Sequence, residues 1–327
     1  MSAEVKPLVS VVTATWNAAD YLREAIESAL KQTYRPLEIV IVDDGSTDHT
    51  AEVCASFGDR VRYIFQPKDD KHGATAHVRA FQSARGEYLA GLDHDDRWLP
   101  EKIARQIEVM QARPDVGAVF TRFRLIDSAG QDKGPSPLVG PSGDVFHALL
   151  RRNRYCYSSG LYRRAVLDVV GHHDIEPGIG DWDLWLRIAR RYPVAMLADI
   201  LTEYRVHGQN YSMDRRMIAL STQRVVKRYR DQLHPGCVEC RRSFRAGLRL
   251  AAEAYLEHFH AAARAGRLAA GLPSLWDALK ISLVPALKPR HLLTLAKSFG
   301  VAVTARRSKP DQQAANQLSA IEQTRRS

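Results

Sequence analysis

The first 65 residues alternate between short apolar runs and segments with helical periodicity. Residues 8–13 and 37–42 are rich in β-branched side chains and almost wholly apolar, as in strands buried on both faces. Residues 20–32 place apolar side chains at helical spacing, and residues 50–57 predict a second helix before a third strand at 61–65. Strands that alternate with helices predict an α/β fold with a mainly parallel sheet flanked by helices.

Three of the predicted strands end in polar clusters. The first runs into the segment 13–17, the second into Asp43 and Asp44, and the strand at 87–92 into the acidic segment 93–96. Parallel strands end at one edge of a sheet, and open parallel sheets bind their ligands outside that edge. Core packing alone gives no reason for acids at the same end of several strands, so we expect a ligand site there.

The segment 93–96 places three carboxylates, Asp93, Asp95 and Asp96, within four residues. Like charges this close repel one another, and partial burial adds to the cost. A hard divalent cation such as Mg²⁺ or Mn²⁺ would relieve that repulsion, because such ions prefer oxygen ligands. The alternative is that Asp95 or Asp96 caps the helix that begins near Pro100.

Neither a dinucleotide fingerprint nor a phosphate-binding P-loop occurs in the sequence. A bound nucleotide would therefore be held by Asp44 through its base or ribose, and by a metal ion that bridges its phosphates. A simple turn is the alternative for the segment 43–46, because Asp and Gly favour turns.

Further candidate residues follow the acidic segment. Residues 128–143, rich in Gly, Pro and Ser, predict a loop over the site. Asp181 begins a predicted helix, either as its N-cap or as a general base at a cleft. Trp182 or Trp185 would offer a ring on which a sugar stacks, and His207, at the end of a predicted strand, would complete a metal shell.

Composition and charge narrow the class of protein. The 327 residues are 45% hydrophobic and 26% charged, as in globular proteins. Neither a membrane span nor an apolar leader is apparent, and four cysteines make no disulfide framework, so we expect a cytoplasmic location. Residues 210–327 carry 21 Lys and Arg against 8 Asp and Glu, a net of +13, whereas the preceding part has a net of −3.

The basic C-terminal part predicts helices at 213–229, 244–264 and 274–283. Their faces either pack on the parent domain or contact an anionic membrane, whereas no nucleic-acid motif is present. We therefore predict a catalytic domain at 1–209, a helical region at 210–304 and a disordered tail at 305–327. Cys237 and Cys240 form a single Cys-x-x-Cys pair that would need His234 or distant ligands, so we do not expect zinc.

Four motifs together resemble the family-2 inverting glycosyltransferases over about residues 8–210. The resemblance implies the GT-A fold, of Rossmann-like type, with a nucleotide-sugar donor such as a UDP-sugar and a divalent metal, Mn²⁺ or Mg²⁺. The motifs, in the family's order, are Val9-Ser-Val-Val-Thr-Ala-Thr-Trp-Asn17, Glu38-Ile-Val-Ile-Val-Asp-Asp-Gly-Ser-Thr-Asp48, Gly86-Glu-Tyr-Leu-Ala-Gly-Leu-Asp-His-Asp-Asp-Arg-Trp-Leu-Pro100 and Asp181-Trp-Asp-Leu-Trp-Leu-Arg187.

The resemblance also implies roles for individual residues, and three departures qualify it. Ala14 stands where the family often has Pro, His77 where it often has Arg, and Gly180 where it often has Glu, which leaves Asp181 as the base with Asp183 as fallback. The implied roles are donor binding for Thr15, Asn17, Asp44, Asp93 and Asp95, metal binding for Asp95, Asp96 and His207, and catalysis for Asp181.

The sequence therefore predicts an inverting glycosyltransferase. It would move a sugar from a nucleoside diphosphate to a hydroxyl of a glycan or lipid-linked acceptor, in surface polysaccharide or glycoconjugate assembly. A sugar nucleotidyltransferase is one alternative, although the first strand lacks the Gly-rich basic loop that it needs. A basic module that binds an anionic membrane or glycan, with a lapsed donor site, is the other. The basic helices would allow peripheral contact with the inner face of the membrane.

Overall fold

A nine-stranded sheet forms the centre of the computed structural model, which describes residues 6–69, 73–174, 180–282, 288–289 and 291–292. The predicted disordered tail at 305–327 lies outside these residues. The strands are β1 (Val9–Thr15), β2 (Leu37–Asp44), β3 (Arg62–Gln66), β4 (Tyr88–Gly91), β5 (Arg97–Trp98), β6 (Ala118–Asp127), β7 (Asp132–Pro135), β8 (Gly160–Arg163) and β9 (Val194–Val206).

Ten α-helices accompany these strands within the described residues. They are α1 (Ala19–Leu30), α2 (Thr50–Ala55), α3 (Ala74–Ser83), α4 (Lys102–Ala112), α5 (Phe146–Arg151), α6 (Arg164–Val170), α7 (Gly180–Ala189), α8 (Arg215–Arg228), α9 (Val238–Arg264) and α10 (Leu268–Ile281).

The sheet order is β3-β2-β1-β4-β8-β6-β9-β5, with β7 beside β6. The half formed by β3, β2, β1 and β4 is parallel, whereas β8, β5 and β7 pair antiparallel with their neighbours. The predicted α/β fold is confirmed, and its sheet is mixed beyond the parallel half. Strands β5 and β8 have two and four residues, too few to show a sequence period.

Successive side chains of the parallel strands enter two separate cores. Val11 and Ile41 pack with the core under α1, α2 and α4, while Val12 and Val42 pack with the core under α3, α5 and α7. Because side chains alternate along a strand, a strand covered on both faces must be apolar at every position. This explains the unbroken apolar runs of β1 and β2. Because the two strands pair parallel, their carboxyl ends lie at one edge of the sheet.

The C-terminal helices α8 and α9 share the core of the sheet. Val226, Tyr229 and Cys240 belong to the same buried cluster as side chains of α5 and α7. A Cβ on Gly247 would lie 2.5 Å from the carbonyl oxygen of Leu150, so glycine permits the close approach of α9 to α5. The predicted helices are confirmed with shifted ends, while the proposed boundary at residues 209 and 210, between β9 and α8, stays a prediction.

The predicted loop at 128–143 is partly wrong. Its first half contains β7, which pairs antiparallel with β6, and Gly134 lies inside that strand at φ +92°. Its second half is held against Tyr155, whose hydroxyl donates to the carbonyl of Pro141. Glycine and proline in this segment therefore belong to a bent hairpin of β6 and β7 and to a segment that packs against Tyr155. In the part of the chain that the structure describes, no helix combines the length and the apolar character needed to cross a bilayer.

Candidate active site

The carboxyl ends of β1, β2 and β4 meet at one edge of the sheet, as the sequence predicts. Strand β1 pairs parallel with both neighbours, with Thr15 opposite Asp43 and Val12 opposite Gly91. The polar residues that follow each strand therefore surround one space. Gly91 belongs to this arrangement, because a Cβ there would lie 2.6 Å from the ring of Tyr157.

The two acids at the end of β2 have different tasks. Asp43 accepts hydrogen bonds from the backbone N–H and the hydroxyl of Ser46, at 2.9 and 2.6 Å, and from the hydroxyl of Tyr63 at 2.6 Å. It therefore holds the turn after the strand. The turn interpretation of the sequence explains Asp43 and leaves Asp44 for another role.

Asp44 is part of a polar pocket beside an exposed aromatic ring. Its carboxylate is 1% exposed and accepts from Gln66 Nε2 and Lys68 Nζ, each at 2.9 Å. The Lys68 ammonium also lies 4.0 Å from the centre of the Trp16 ring, which is 49% exposed. An exposed indole ring next to a carboxylate and an ammonium that are paired with each other would suit a planar nucleobase and its ribose.

Thr15 and Asn17 lie at the end of β1. The Thr15 hydroxyl is buried and has no hydrogen-bond partner among the described residues, so it is available to a ligand. Asn17 is exposed in the left-handed region at φ +46°, and its side-chain oxygen accepts from the backbone N–H of Thr47 at 2.8 Å. Asn17 thus joins the loop after β1 to the loop after β2. The Thr15 hydroxyl, by contrast, makes no hydrogen bond to the described residues.

The three acids after β4 form a compact cluster. Asp93, Asp95 and Asp96 each place a carboxylate oxygen within 4.8 Å of the other two. Burial raises the pKa of Asp93 and of Asp96 well above their usual range, and repulsion from the neighbouring carboxylates adds to both shifts. Three hard oxygen donors that repel one another fit a divalent cation.

Asp96 is held by the protein through both of its carboxylate oxygens. One accepts from the hydroxyl of Ser158 at 2.6 Å and the other from the backbone N–H of Arg205 at 2.9 Å. Ser158 also accepts from the backbone N–H of Asp93 at 3.0 Å. Asp96 therefore fixes the shape of the acidic segment, and it is also one of the three carboxylates placed to hold a cation.

Asp95 lies next to His207, and the sequence analysis assigns both residues to metal binding. His207 Nε2 is 2.9 Å from Asp95 Oδ2, and the same oxygen accepts from Asn210 Nδ2 at 3.3 Å. Tyr21 stacks on the imidazole with 5.1 Å between ring centres. The carboxylates suit Mn²⁺ or Mg²⁺, and the imidazole at 2.9 Å places a second candidate ligand beside Asp95.

A buried arginine that the sequence analysis missed supports this pair. The Arg205 guanidinium donates to the carbonyl of Asp95 at 2.7 Å and to the carboxylate of Glu24 at 2.7 Å, and lies over the Tyr21 ring. Arg205 lies in β9, and His207 follows the end of that strand by one residue. An arginine two positions before the candidate ligand His207 is the sequence signal by which Arg205 could have been found.

Asp181 lies in the first turn of α7, after Gly180 at φ +40°. Burial raises its pKa to about 6, and its charge contributes to the raised pKa of Asp93. The carboxylate therefore belongs to the same electrostatic environment as the acidic cluster. The carboxylate also accepts from the backbone N–H of Trp182, so the N-cap interpretation stays open. Residues 175–179 lie outside the described part of the chain.

The prediction that Trp182 or Trp185 offers a ring to a sugar is wrong. The two indoles are 6% and 0% exposed, and their N–H groups donate to the carbonyl of Leu149 and to the hydroxyl of Tyr162. Both belong to the core between α7 and the sheet. Asp183 is equally unsuitable as a fallback base, because it is fully buried and accepts from Arg187 at 2.8 Å.

His77 borders the cluster on the side of Asp93. Its Nε2 is 4.0 Å from Asp93 Oδ1, its ring meets Tyr157 edge-on, and burial lowers its pKa. The position where the resemblance leads one to expect an arginine therefore holds an imidazole directed to the same acids.

The sequence profile described as "Glycosyl transferase family 2" matches residues 10–171, which contain the ends of β1, β2 and β4 and the acidic segment 93–96. The chain belongs to glycosyl transferase family 2. A relative from Nostoc, named as an uncharacterized glycosyltransferase, is 37% identical in an alignment of 221 residues that covers 63% of this chain and 66% of that protein. Another, from Rickettsia felis, is 31% identical in an alignment of 224 residues that covers 63% of this chain and 35% of that protein. The chain thus spans between one third and two thirds of these two relatives.

Solved glycosyltransferase structures share the fold. A mannosyltransferase from Pyrobaculum calidifontis, in complex with GDP-Man and Mn²⁺, is similar with a TM-score of 0.57 and 21% identity, over 92% of this chain and 82% of that chain. S. aureus TarS 1-349, in complex with UDP, is similar with a TM-score of 0.51 and 15% identity, over 89% of this chain and 91% of that chain. At these identities the likeness supports the GT-A fold of the family and leaves the substrates open.

Proposed function

We propose that this family-2 protein transfers a sugar from a nucleoside diphosphate to a hydroxyl acceptor, with inversion at the anomeric carbon. The observation that carries the proposal is the convergence of Asp181, an acid with a raised pKa, and the acidic cluster 93–96 on one edge of the sheet. The complexes of the similar structures with UDP and with GDP-Man support a nucleotide-sugar donor.

The pocket at β2 would hold the nucleoside. The Trp16 ring would lie against the base, and Asp44, fixed by Gln66 and Lys68, would accept from a base N–H or a ribose hydroxyl. Lys68 is partly exposed and would turn toward the phosphates once its place over the ring is taken. The buried hydroxyl of Thr15 would gain a partner in the donor.

A divalent ion fits the acidic cluster. Asp95 and His207 would be its principal protein ligands, with Asp93 alongside and Asp96 holding the loop in shape. When bound, Mn²⁺ or Mg²⁺ would supply positive charge where a leaving diphosphate becomes more negative. Arg205 and Ser158 would keep the ligands in place, as supporting residues do in metal sites.

Asp181 would act as the general base. Its carboxylate would accept the proton of the acceptor hydroxyl while the hydroxyl oxygen attacks the anomeric carbon and the bond to the diphosphate breaks. Attack from the face opposite the leaving group inverts the configuration. A pKa of about 6 leaves this group largely ionised at neutral pH yet basic enough to accept a proton.

The raised pKa predicts a pH dependence of turnover. The base must be ionised to act, so kcat should fall as pH drops through about 6 and level off above it. An Asp at its ordinary pKa near 3.8 would keep its activity down to about pH 4. Initial rates of donor consumption between pH 5 and 8, with binding saturated, measure this midpoint, and a flat profile over that range contradicts the assignment.

Stereochemistry tests the reaction class. With water as the acceptor, proton NMR during hydrolysis of an α-linked nucleotide sugar should first detect the β-anomer of the free sugar. First appearance of the α-anomer would exclude direct inversion. Release of inorganic diphosphate on incubation with a sugar phosphate and a nucleoside triphosphate would instead identify a nucleotidyltransferase.

We also propose that α9 brings the protein to an anionic membrane surface, where a lipid-linked acceptor would be presented. Arg241, Arg245 and Arg249 are exposed at intervals of four residues and so form one stripe, with Arg242 and the exposed Val238 beside it. On α10, Trp276 is 60% exposed. Basic stripes with exposed apolar neighbours are typical of peripheral membrane contact.

Substitution of the arginine stripe should weaken binding to anionic vesicles. Each basic residue near an anionic surface contributes about 1 kcal/mol, so changing Arg241, Arg245 and Arg249 to Gln should weaken binding to phosphatidylglycerol vesicles on the order of 100-fold. Sedimentation with vesicles measures it, and neutral vesicles should bind neither protein. The exposed arginines Arg23, Arg60 and Arg62, changed together to Gln, are the matched control; equal losses in both variants would exclude a specific stripe.

A further inference from the structure

Four metal-ligating side chains meet away from the transferase site, between α5 and the start of α9. His147 Nε2 lies 3.2 Å from Cys240 Sγ and 3.7 Å from Cys237 Sγ, and His234 Nδ1 lies 3.4 Å from Cys240 Sγ. The described residues place ligand atoms of His147, Cys237 and Cys240 within 4.8 Å of one another. His234, on the loop before α9, contacts Cys240 and lies outside this group of three, so a small turn of its side chain would complete a set of four.

These separations match those around a tetrahedral zinc ion. Zinc holds sulfur at about 2.3 Å and imidazole nitrogen at about 2.0–2.1 Å, so neighbouring sulfur and nitrogen ligands of a tetrahedron lie about 3.5 Å apart. The three sulfur–nitrogen distances in the structure, 3.2, 3.4 and 3.7 Å, lie on both sides of this value. Two thiolates and two imidazoles are also a ligand set that selects zinc over the hard cations suited to the acidic cluster.

The local backbone explains how the ligands come together. Cys237 precedes α9 and Cys240 lies in its first turn, with the Cys240 N–H donating to Cys237 Sγ. Gly236, at φ +74°, allows the reversal that brings His234 back to Cys240. His147, ninety residues earlier, arrives on α5 because that helix packs against α9.

We propose that His147, His234, Cys237 and Cys240 bind one zinc ion. With four protein ligands the site has no open position, so its role is structural. This proposal departs from the sequence analysis, which does not expect zinc at Cys237 and Cys240, because α5 brings the distant ligand His147 to the pair.

The zinc ion would link α9, in the C-terminal part, to α5, which packs in the core of the sheet. Around it, α5 and α9 are already joined by Arg151, which donates to Ser243 at 3.0 Å and pairs with Glu239. The carbonyl of Leu149, on α5, also accepts a hydrogen bond from the indole N–H of Trp182, the residue after Asp181. Zinc bound here would therefore stabilise both the position of α9 and the support of α7.

Metal analysis of the purified full-length protein tests the proposal. Mass spectrometry of the metals should find one zinc per chain, and Asp95→Asn should keep it, because that change affects only the acidic cluster. Cys240→Ser and His147→Ala should each lose at least nine-tenths of the zinc. Cys54→Ala and His49→Ala are matched controls outside the cluster and should retain it. Equal zinc content in all variants, or none in the unsubstituted protein, overturns the proposal.

A second measurement does not depend on the variants folding. Cobalt exchanged into the unsubstituted protein should give the strong visible and thiolate charge-transfer bands of a tetrahedral site with sulfur ligands. Removing zinc with a chelator should lower Tm by about 10 °C, and zinc should restore it. Octahedral cobalt spectra, or a Cys237–Cys240 disulfide with no bound metal, would contradict a zinc site.

Discussion

Asp181→Asn should lower turnover by on the order of 10²–10⁴-fold while leaving donor affinity within a factor of about two. Asparagine keeps the size of the side chain but accepts no proton, so the acceptor hydroxyl would have to attack without a base. The Asp181 carboxylate accepts from the backbone N–H of Trp182, whereas the fully buried Asp183 accepts from the side chains of Arg187 and Tyr229. Single-turnover rates together with calorimetric donor affinity separate the chemical step from binding.

The control for this substitution is Asp20→Asn. Asp20 is also an aspartate in the first turn of a helix, but it is exposed on α1. Asp20→Asn should keep full activity, and its kcat should still fall as pH drops through about 6. The residual activity of Asp181→Asn should not show this fall. Retained turnover in Asp181→Asn would remove Asp181 as the base.

Asp95→Asn should weaken metal-dependent donor binding by at least about 100-fold. Loss of a residue that merely supports a metal ligand costs 10–100-fold in metal affinity, and Asp95 is expected to be a ligand itself. The change keeps a partner for Asn210 but removes the negative charge beside His207. Titration of the donor at several Mn²⁺ concentrations measures the loss.

Asp96→Asn provides the contrasting variant. Its carboxylate is buried and accepts from Ser158 and from the backbone of Arg205, so the substitution should lower Tm more than Asp95→Asn does. Its effect on donor binding should be smaller, although the sequence motif implies a metal ligand at both positions. If Asp96→Asn abolishes metal dependence and Asp95→Asn leaves it unchanged, the ligand assignment is reversed.

The sequence predicts the parallel half of the fold and the edge where the site lies because both follow from local patterns. Apolar runs such as 8–13 need burial on two faces, and parallel pairing then brings the residues after each strand to one edge. Thr15, Asp44 and the acids 93–96 are found in this way, without knowledge of any contact.

The remaining features depend on contacts between distant segments. Trp182 and Trp185 follow an acid at a helix start, and only the packing of α7 against α5 and the sheet shows that both rings are enclosed. Ser158 fixes Asp96 across 62 residues, and His147 reaches the cysteines across about ninety. No local period encodes such pairings, so sequence reasoning that proceeds segment by segment misses them.

Calorimetric titration of a panel of nucleotide sugars in Mn²⁺, repeated in EDTA, tests the central claim most directly. Circular dichroism in EDTA should accompany it, to establish that the fold persists when metals are removed. Binding of one donor class that requires Mn²⁺, and that Asp95→Asn loses, is the result that a metal-dependent glycosyltransferase predicts. Absence of binding by every donor in Mn²⁺, from a protein that remains folded, would contradict it and would favour a binding module with a lapsed donor site.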